Sequence, residues 1–409
     1  MRKIFLVTNQ YPYSYTEQFI ETEIKFWDKL EIEIIPSKLA DSSRDVNGIH
    51  IRTTVAMRLG SFRKFDFFHI VKTIFSPYVL KELVRSPKIF VSISKLKTLF
   101  RFEYLTQRYC SAIKNDFSNE ELKGALFYTY WFDWQTCALT RLRKSFDFKI
   151  ITRCHRADLY AYTQPGGYMP YSKNYYTNID TIYSISQDGV DYLHNTFAIE
   201  RCKLKVARLG VPERNILRNF DARSKHDIHI LSVSYVKPVK RVLLIAKMLN
   251  QYATENPKLK ITWTHFGDGP EFNELKKLVS NFSFKVNLMG MCNNSDVINY
   301  YESNHINIFV NLSLSEGVPV SIMEAISFGV PVVATDCGGT SEIVNEQIGK
   351  LIPIKFVYED FSIAIESALE TSPIVILEQF KEKYCAEVNY KVFRQQLISR
   401  AMDENVGTC

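Results

Sequence analysis

The sequence predicts an α/β protein built from two parallel-sheet domains, and three observations carry that expectation. A chain of 409 residues exceeds the size at which one hydrophobic core keeps growing. Short apolar runs alternate with helical stretches on both sides of a midpoint, the pattern of sheets covered by helices. In the second half a strand at 306–310, a loop, a helix and a strand at 331–334 follow one another. That order puts the loop at the carboxyl edge of a parallel sheet, where open α/β sheets bind ligands.

Taken in order, the first half places strands at 4–7, 32–35, 126–128, 150–152 and 181–184. The second places them at 228–233, 261–266, 286–289, 306–310 and 332–334. The opening Met1 to Lys3 with its apolar run is too short for a signal-peptide core of about 7 to 15 residues and reads as a first strand. Apolar periodicity lapses within 210–227, which divides a domain at 1–210 from one at 211–388. A helical stretch at 389–402 lies in the terminal segment 389–409. No stretch approaches the roughly 18 to 20 apolar residues that span a bilayer. The eight cysteines form no C-x-x-C pair, which points to a reduced, cytoplasmic protein.

The net charge of +7 is concentrated in one segment. Residues 52–114 hold thirteen Lys and Arg against Asp66, Glu82 and Glu103, a surplus larger than that of the whole chain. Phe62, Phe65, Phe67, Phe68, Ile70, Phe75, Tyr78, Phe90, Leu99 and Phe100 are interleaved with them. Such a mixture suits helices lying on an anionic membrane, a peripheral contact. A solvated basic face with its apolar side packed inward is the plainer reading. Nucleic acid is not expected as a partner, since no nucleic-acid-binding motif accompanies the charge.

The most informative stretch is SEGVPVSIMEAISFGVPVVATDCGGTSEIV. Pro319 suits the first helical position, and Gly329 with Pro331 gives the stop, so a helix is expected over 319–328. The amides of Gly317, Val318, Val320 and Ser321 then cluster at its N-terminus, where free N–H groups and the positive end of the dipole favour phosphate. Glu316 sits before the helix and Glu324 more than a turn inside it. Two hydroxyl-bearing rings joined through phosphate fit between such carboxylates, and a nucleotide-sugar is such a molecule. A glutamate placed only to complement the helix dipole is the alternative.

This stretch, with HFGDGP at 265–270, NLMGM at 287–291 and GVPVVAT at 329–335, resembles the retaining glycosyltransferases of family 4. Looser matches are TNQYPYSYTEQFIETEI near the start, TRCHRADLY at 152–160, YSISQDG at 183–189 and ARLGVP at 207–212. The resemblance covers nearly the whole chain. It implies a GT-B fold: two Rossmann-like domains, an interdomain cleft and a C-terminal helix returning to the N-terminal domain.

It also implies site residues. Glu316 would bind hydroxyls of the transferred sugar, with Gly317 and Val318 nearby, and Glu324 the ribose. Lys240, in SVSYVKPVKRV, would neutralise the departing diphosphate. Tyr235 stands where the family has an arginine, so Lys237 or Arg241 is expected to supply the second charge. Val318 and Pro319 stand where many relatives have Phe-Gly. Gly290 and Met291 match the strand end that meets the nucleobase, and His155 the histidine facing the donor sugar. Tyr11, Glu17, Tyr130, Trp131 and Asp158 are assigned to the acceptor side. The GDG turn at 267–269 reads as a tight turn rather than a phosphate loop, and Gly338 with Gly339 as another.

The chain contains no D-x-D, so a metal-independent reaction is expected, with a UDP-sugar or GDP-sugar as co-substrate and no other cofactor. The leading reading is a retaining hexosyltransferase acting on a lipid-linked saccharide in bacterial surface-polysaccharide synthesis. It would work from the inner face of the cytoplasmic membrane. A non-catalytic nucleotide-sugar or glycan-binding subunit on the same scaffold is the alternative.

Overall fold

The computed structural model describes residues 2–13, 17–27, 30–60, 67–171, 175–214 and 226–402. The chain divides into two compact units, Met1–Arg208 with Tyr390–Cys409, and Leu209–Asn389.

The first unit holds a seven-stranded sheet: β1 (Ile4–Thr8), β2 (Ile32–Pro36), β3 (His50–Ile51), β4 (Ala125–Thr129), β5 (Phe148–Cys154), β6 (Thr181–Ser184) and β7 (Leu204–Val206). Its order is β3-β2-β1-β4-β5-β6-β7, and every pairing is parallel. The second unit holds β8 (Asp227–Val233), β9 (Lys260–Phe266), β10 (Lys285–Gly290), β11 (Ile308–Asn311), β12 (Val332–Thr335) and β13 (Gly349–Ile352) in the parallel order β10-β9-β8-β11-β12-β13. The ten strands expected from the apolar runs are present. Sequence reading missed β3, β7 and β13, which are short edge or near-edge strands without a continuous apolar run.

Central strands such as β1, β4 and β11 are buried along their whole length, as parallel strands covered on both faces must be. The order reverses at β1/β4 in the first sheet and at β8/β11 in the second. At such reversals the loops leaving the carboxyl ends of the strands are where open α/β sheets bind ligands, and Lys240 and Glu316 sit in the loops after β8 and β11.

The final helix runs Ala386–Ala401, and its Phe393, Leu397 and Ala401 join the core under β1, β2 and β4. Phe393 packs edge-on against Tyr183 at 5.1 Å and lies 4.2 Å from the Arg153 guanidinium. Arg153 is fully buried and paired with Glu23, whose carboxyl burial pushes up despite that partner.

The basic segment folds into the helices Thr54–Gly60, Phe67–Ile74, Pro77–Arg85 and Ile93–Asp116, while Phe62, Phe65 and Asp66 lie outside the described residues. Leu99 belongs to the core and Phe100 packs against it, as the reading with the apolar side packed inward expects, because they lie on the inward face of the long helix. Phe67, Phe68, Phe75 and Phe90 are exposed, as are Val84, Val91 and Ile93. Among the described residues Cys110, Cys137, Cys154, Cys292, Cys337 and Cys385 are free thiols.

Truncating Leu397 to alanine removes fully buried atoms from the first unit's core. The change is expected to cost about 2–5 kcal/mol. Urea unfolding measures it, and a loss below about 1 kcal/mol would show that the terminal helix contributes little.

Candidate functional site

The site of the second unit is built on the β8/β11 reversal. After β8 the chain turns through a short 3-10 helix, Pro238–Lys240, and Arg241 takes a left-handed conformation before the helix Val242–Glu255. After β11 it runs through Ser313 and Glu316 to the helix Val320–Ser327. The Leu314 amide donates to the Val239 carbonyl at 2.8 Å, which joins the two loops directly.

Across that junction Lys240 Nζ lies 2.5 Å from Glu316 Oε1. Ser313 Oγ donates to the same oxygen at 2.6 Å and Asn311 Nδ2 at 3.3 Å. Glu316 is buried, yet all three bonds converge on Oε1, and Oε2 takes part in none of them. Lys240 has two further N–H donors to offer.

The helix starts one residue later than expected. Pro319 is the N-cap, not the first helical residue, because its ψ of 110° is extended. Its carbonyl accepts from the Ile322 and Met323 amides. The amides of Val320 and Ser321, in the first turn, have no intrahelical acceptor by geometry and sit beside the partly exposed Gly317. Val318 is buried and forms the loop floor.

Glu324 lies on this helix, buried, with Oε1 accepting from Asn294 Nδ2 at 2.6 Å. Burial pushes its carboxyl above the usual range, against the Asn294 bond and the attraction of Arg214. The two carboxylates thus flank the helix start.

Gly338 and Gly339 are more than the turn expected of them. A Cβ on Gly338 would fall 2.0 Å from the Glu316 carbonyl oxygen, and one on Gly339 2.2 Å from that of Gly317. Only glycines let this loop press on the backbone that carries Glu316. GDG is the tight turn expected: Gly267 and Gly269 have φ of 141° and 156°, and Cβ atoms there would strike the carbonyls of Ser234 and Val236.

Arg241 does not present its charge as expected. Its guanidinium donates to the carbonyls of Leu312 and Ile354, bracing the loop from behind. Lys237 is partly exposed, with its ammonium 5.7 Å from the exposed Tyr235 ring. Gly290 ends β10 at φ 70° and its carbonyl accepts from the Gly267 amide, while the Met291 side chain is exposed. Asn294, Asn311, Ser313 and Arg214 were missed by sequence reading. Polar residues at or just past a strand's carboxyl end were the available signal for Asn294, Asn311 and Ser313.

In the first unit the expected acceptor residues gather at the ends of β1, β4 and β5, but most are occupied. Glu17 accepts from the amides of Asn9, Gln10 and Tyr11 and from Trp131 Nε1, so it anchors a loop. Tyr11 and Tyr130 are fully buried and cannot stack on a ligand ring. Asp158 accepts from the amides of His155 and Phe132. Trp131 is only partly buried. His155 is 7% exposed and lies 4.6 Å from the Trp131 ring and 4.9 Å from Tyr130; its Nδ1 is 3.8 Å from Asp158 Oδ2, and neither ring nitrogen has a hydrogen-bond partner among the described residues. A cavity of about 270 Å³ beside it is lined by Asn9, Trp131, Asp133, Asp158 and Gln164. Burial pushes the Asp133 carboxyl up to about 6.

Residues 213–384 match the family described as Glycosyl transferases group 1. An O-antigen biosynthesis glycosyltransferase, WbnH, from Escherichia coli is 23% identical over 214 residues, half of this chain and 58% of that one. The chain spans between 22% and 58% of the length of the curated relatives it matches. Among solved structures, the lipopolysaccharide outer core galactosyltransferase WaaB superposes at a TM-score of 0.67 with 14% identity, covering 99% of this chain and 100% of that one. The pneumococcal O-GlcNAc transferase GtfA, in complex with UDP and GlcNAc, superposes at 0.55 with 15% identity over 75% of this chain and 61% of that one. The fold is GT-B.

Glu324 makes the site's stability pH-dependent. Its folded-state pKa lies above the unfolded value near 4.3. Its contribution is therefore present below that pH and lost as pH rises through the folded value. Glu324→Gln keeps an acceptor for Asn294 and should gain stability over the parent on going from about pH 4 to pH 8. Urea midpoints at the two pH values test this; a constant difference would contradict it.

Proposed function

We propose, for a GT-B chain whose residues 213–384 match group 1 glycosyl transferases, that the protein is a retaining hexosyltransferase using a UDP-sugar or GDP-sugar. Its acceptor would be a lipid-linked glycan of bacterial surface-polysaccharide synthesis. The observation that carries the reading is the Lys240–Glu316 pair beside a helix N-terminus at the sheet's switch point.

The pair accounts for both halves of the donor. Glu316 Oε1 is held by Lys240, Ser313 and Asn311, which leaves Oε2 to accept from a hydroxyl of the transferred sugar. The remaining N–H groups of Lys240 and the amides of Val320 and Ser321 face the diphosphate. They stabilise the charge that grows on the leaving phosphate as the sugar–oxygen bond breaks. Glu324, kept in place by Asn294, accepts from ribose hydroxyls on the other side. Gly290 and Met291 supply backbone groups to the nucleobase, and Lys237 adds charge near the diphosphate. An ion pair foreign to this ligand would take Glu316 out of the chemistry; here its partner is the lysine assigned to the same ligand.

Retention would follow from attack on the face the phosphate leaves, with that phosphate drawing the acceptor's proton, so no dedicated side-chain base is required. His155, whose ring nitrogens have no hydrogen-bond partner among the described residues, would serve a sugar hydroxyl. The reaction is read as metal-independent on the lack of a D-x-D sequence. Tyr235 in place of an arginine favours the second reading, a non-catalytic binding subunit. Turnover with the right acceptor separates the two.

For the membrane part, the exposed Phe67, Phe75 and Phe90 stand among Lys72, Lys81 and Lys88, which have no carboxylate partner among the described residues. Aromatic and basic groups on one surface suit the face of an anionic bilayer, where the protein would sit peripherally on the inner side.

Glu316→Gln and Lys240→Ala are each expected to weaken nucleotide-sugar binding by roughly 10- to 100-fold in calorimetry, the loss of a charge-assisted bond. Indifference to both would refute the site. Co-sedimentation with vesicles containing phosphatidylglycerol should fall as salt rises from about 0.1 to 1 M, where the Debye length shrinks from about 10 to 3 Å. No sedimentation at the lower salt would remove the membrane contact alone.

A further inference from the structure

The helices Phe67–Ile74, Pro77–Arg85 and Ile93–Asp116 bound a cavity of about 540 Å³ in the first unit, within the range of small-molecule sites. Its walls are apolar, from Phe68, Val71, Phe75 and Tyr78. At its inner end Arg141 and Glu103 form a bidentate pair at 2.9 and 2.7 Å, so the charges there cancel. Ser76 and Gln107 also donate to Glu103, which turns these polar groups toward one another. Lys72 and Lys114, both exposed, also line the cavity and have no carboxylate partner among the described residues.

We propose that this cavity takes the hydrocarbon chain of an anionic lipid, with its headgroup phosphate held by Lys72 and Lys114. Three features converge on that chemistry. The walls match hydrocarbon, and the exposed lysines match phosphate. The outer part of the cavity is formed by Phe68 and Phe75, which are 61% and 73% exposed. A chain drawn from a bilayer could enter there without its tail crossing water. The inference deepens the membrane part of the proposed function and rests on it.

The test uses the full-length protein and a farnesyl phosphate bearing a diazirine. After irradiation, adducts should map by mass spectrometry to peptides covering 67–78 and 103–114. Val71→Trp fills the cavity, and Phe75→Asp puts a carboxylate at its exposed edge, where the fold tolerates it; each should reduce labelling about tenfold or more. Phe75→Asp decides the matter if Val71→Trp does not fold. Competition by unlabelled farnesyl phosphate would assign the acceptor's lipid, and competition by phosphatidylglycerol the bilayer's; either upholds the cavity as a lipid site. Adducts spread elsewhere, or labelling unchanged in the variants, would overturn it, including in favour of a protein partner on this face. Nucleotide-sugar binding should be the same in both variants and the parent, so failure here leaves the donor site untouched.

Discussion

Lys240 and Glu316, 2.5 Å apart, tie the ends of β8 and β11 together where the strand order of the second sheet reverses. Most of what surrounds them follows from having to hold a buried carboxylate and an ammonium there. Desolvating such a pair costs several kcal/mol per ion unless further hydrogen bonds compensate. Asn311 and Ser313 supply two, both to the oxygen that already meets the lysine. Arg241 braces the loop through the Leu312 and Ile354 carbonyls, and Gly338 and Gly339 let a third loop close against it. A loop held from three sides keeps Glu316 fixed while its second oxygen stays out of the network, which is how a charged group serves a ligand without reorganising.

The first unit follows the same topological rule with a different result. Its candidate residues also gather past the carboxyl ends of central strands, but the loops there are closed by their own side chains. Buried amides must find acceptors. The acceptors nearest to hand were the carboxylates that the family resemblance assigns to a ligand. Glu17 is used by three amides and an indole, and Asp158 by two amides. His155 remains, packed against Tyr130 and Trp131 with neither ring nitrogen hydrogen-bonded among the described residues. An unpaired polar group at that depth costs about 1–3 kcal/mol, which a hydroxyl-bearing ligand would recover.

The basic segment divides along the length of its helices. Its inner face, with Leu99 and Phe100, is ordinary core. Arg52 is spent on Glu33 and Glu121, and the segment's Glu103 is taken by Arg141 from outside it. The lysines of the outer face and the phenylalanines beside them are not consumed in this way. The packed-face reading therefore holds for the inner side of these helices, while the outer side keeps its lysines and aromatic rings exposed.

The sequence by itself determined the two parallel sheets, ten of their thirteen strands and, to within one residue, the helix start that separates Glu316 from Glu324. Each rests on apolar periodicity or on the local chemistry of Pro319 and Gly329, which act within a few residues. Tertiary structure decided which polar side chains were left for a ligand. Nothing local tells that Arg241 turns back to two carbonyls, that Glu17 serves four donors, or that Asn294 comes 30 residues along the chain to hold Glu324. Hydrogen-bond partners of buried groups are set by which loops meet at a sheet's edge, and that meeting depends on strand order, a property of the whole sheet rather than of any segment in it.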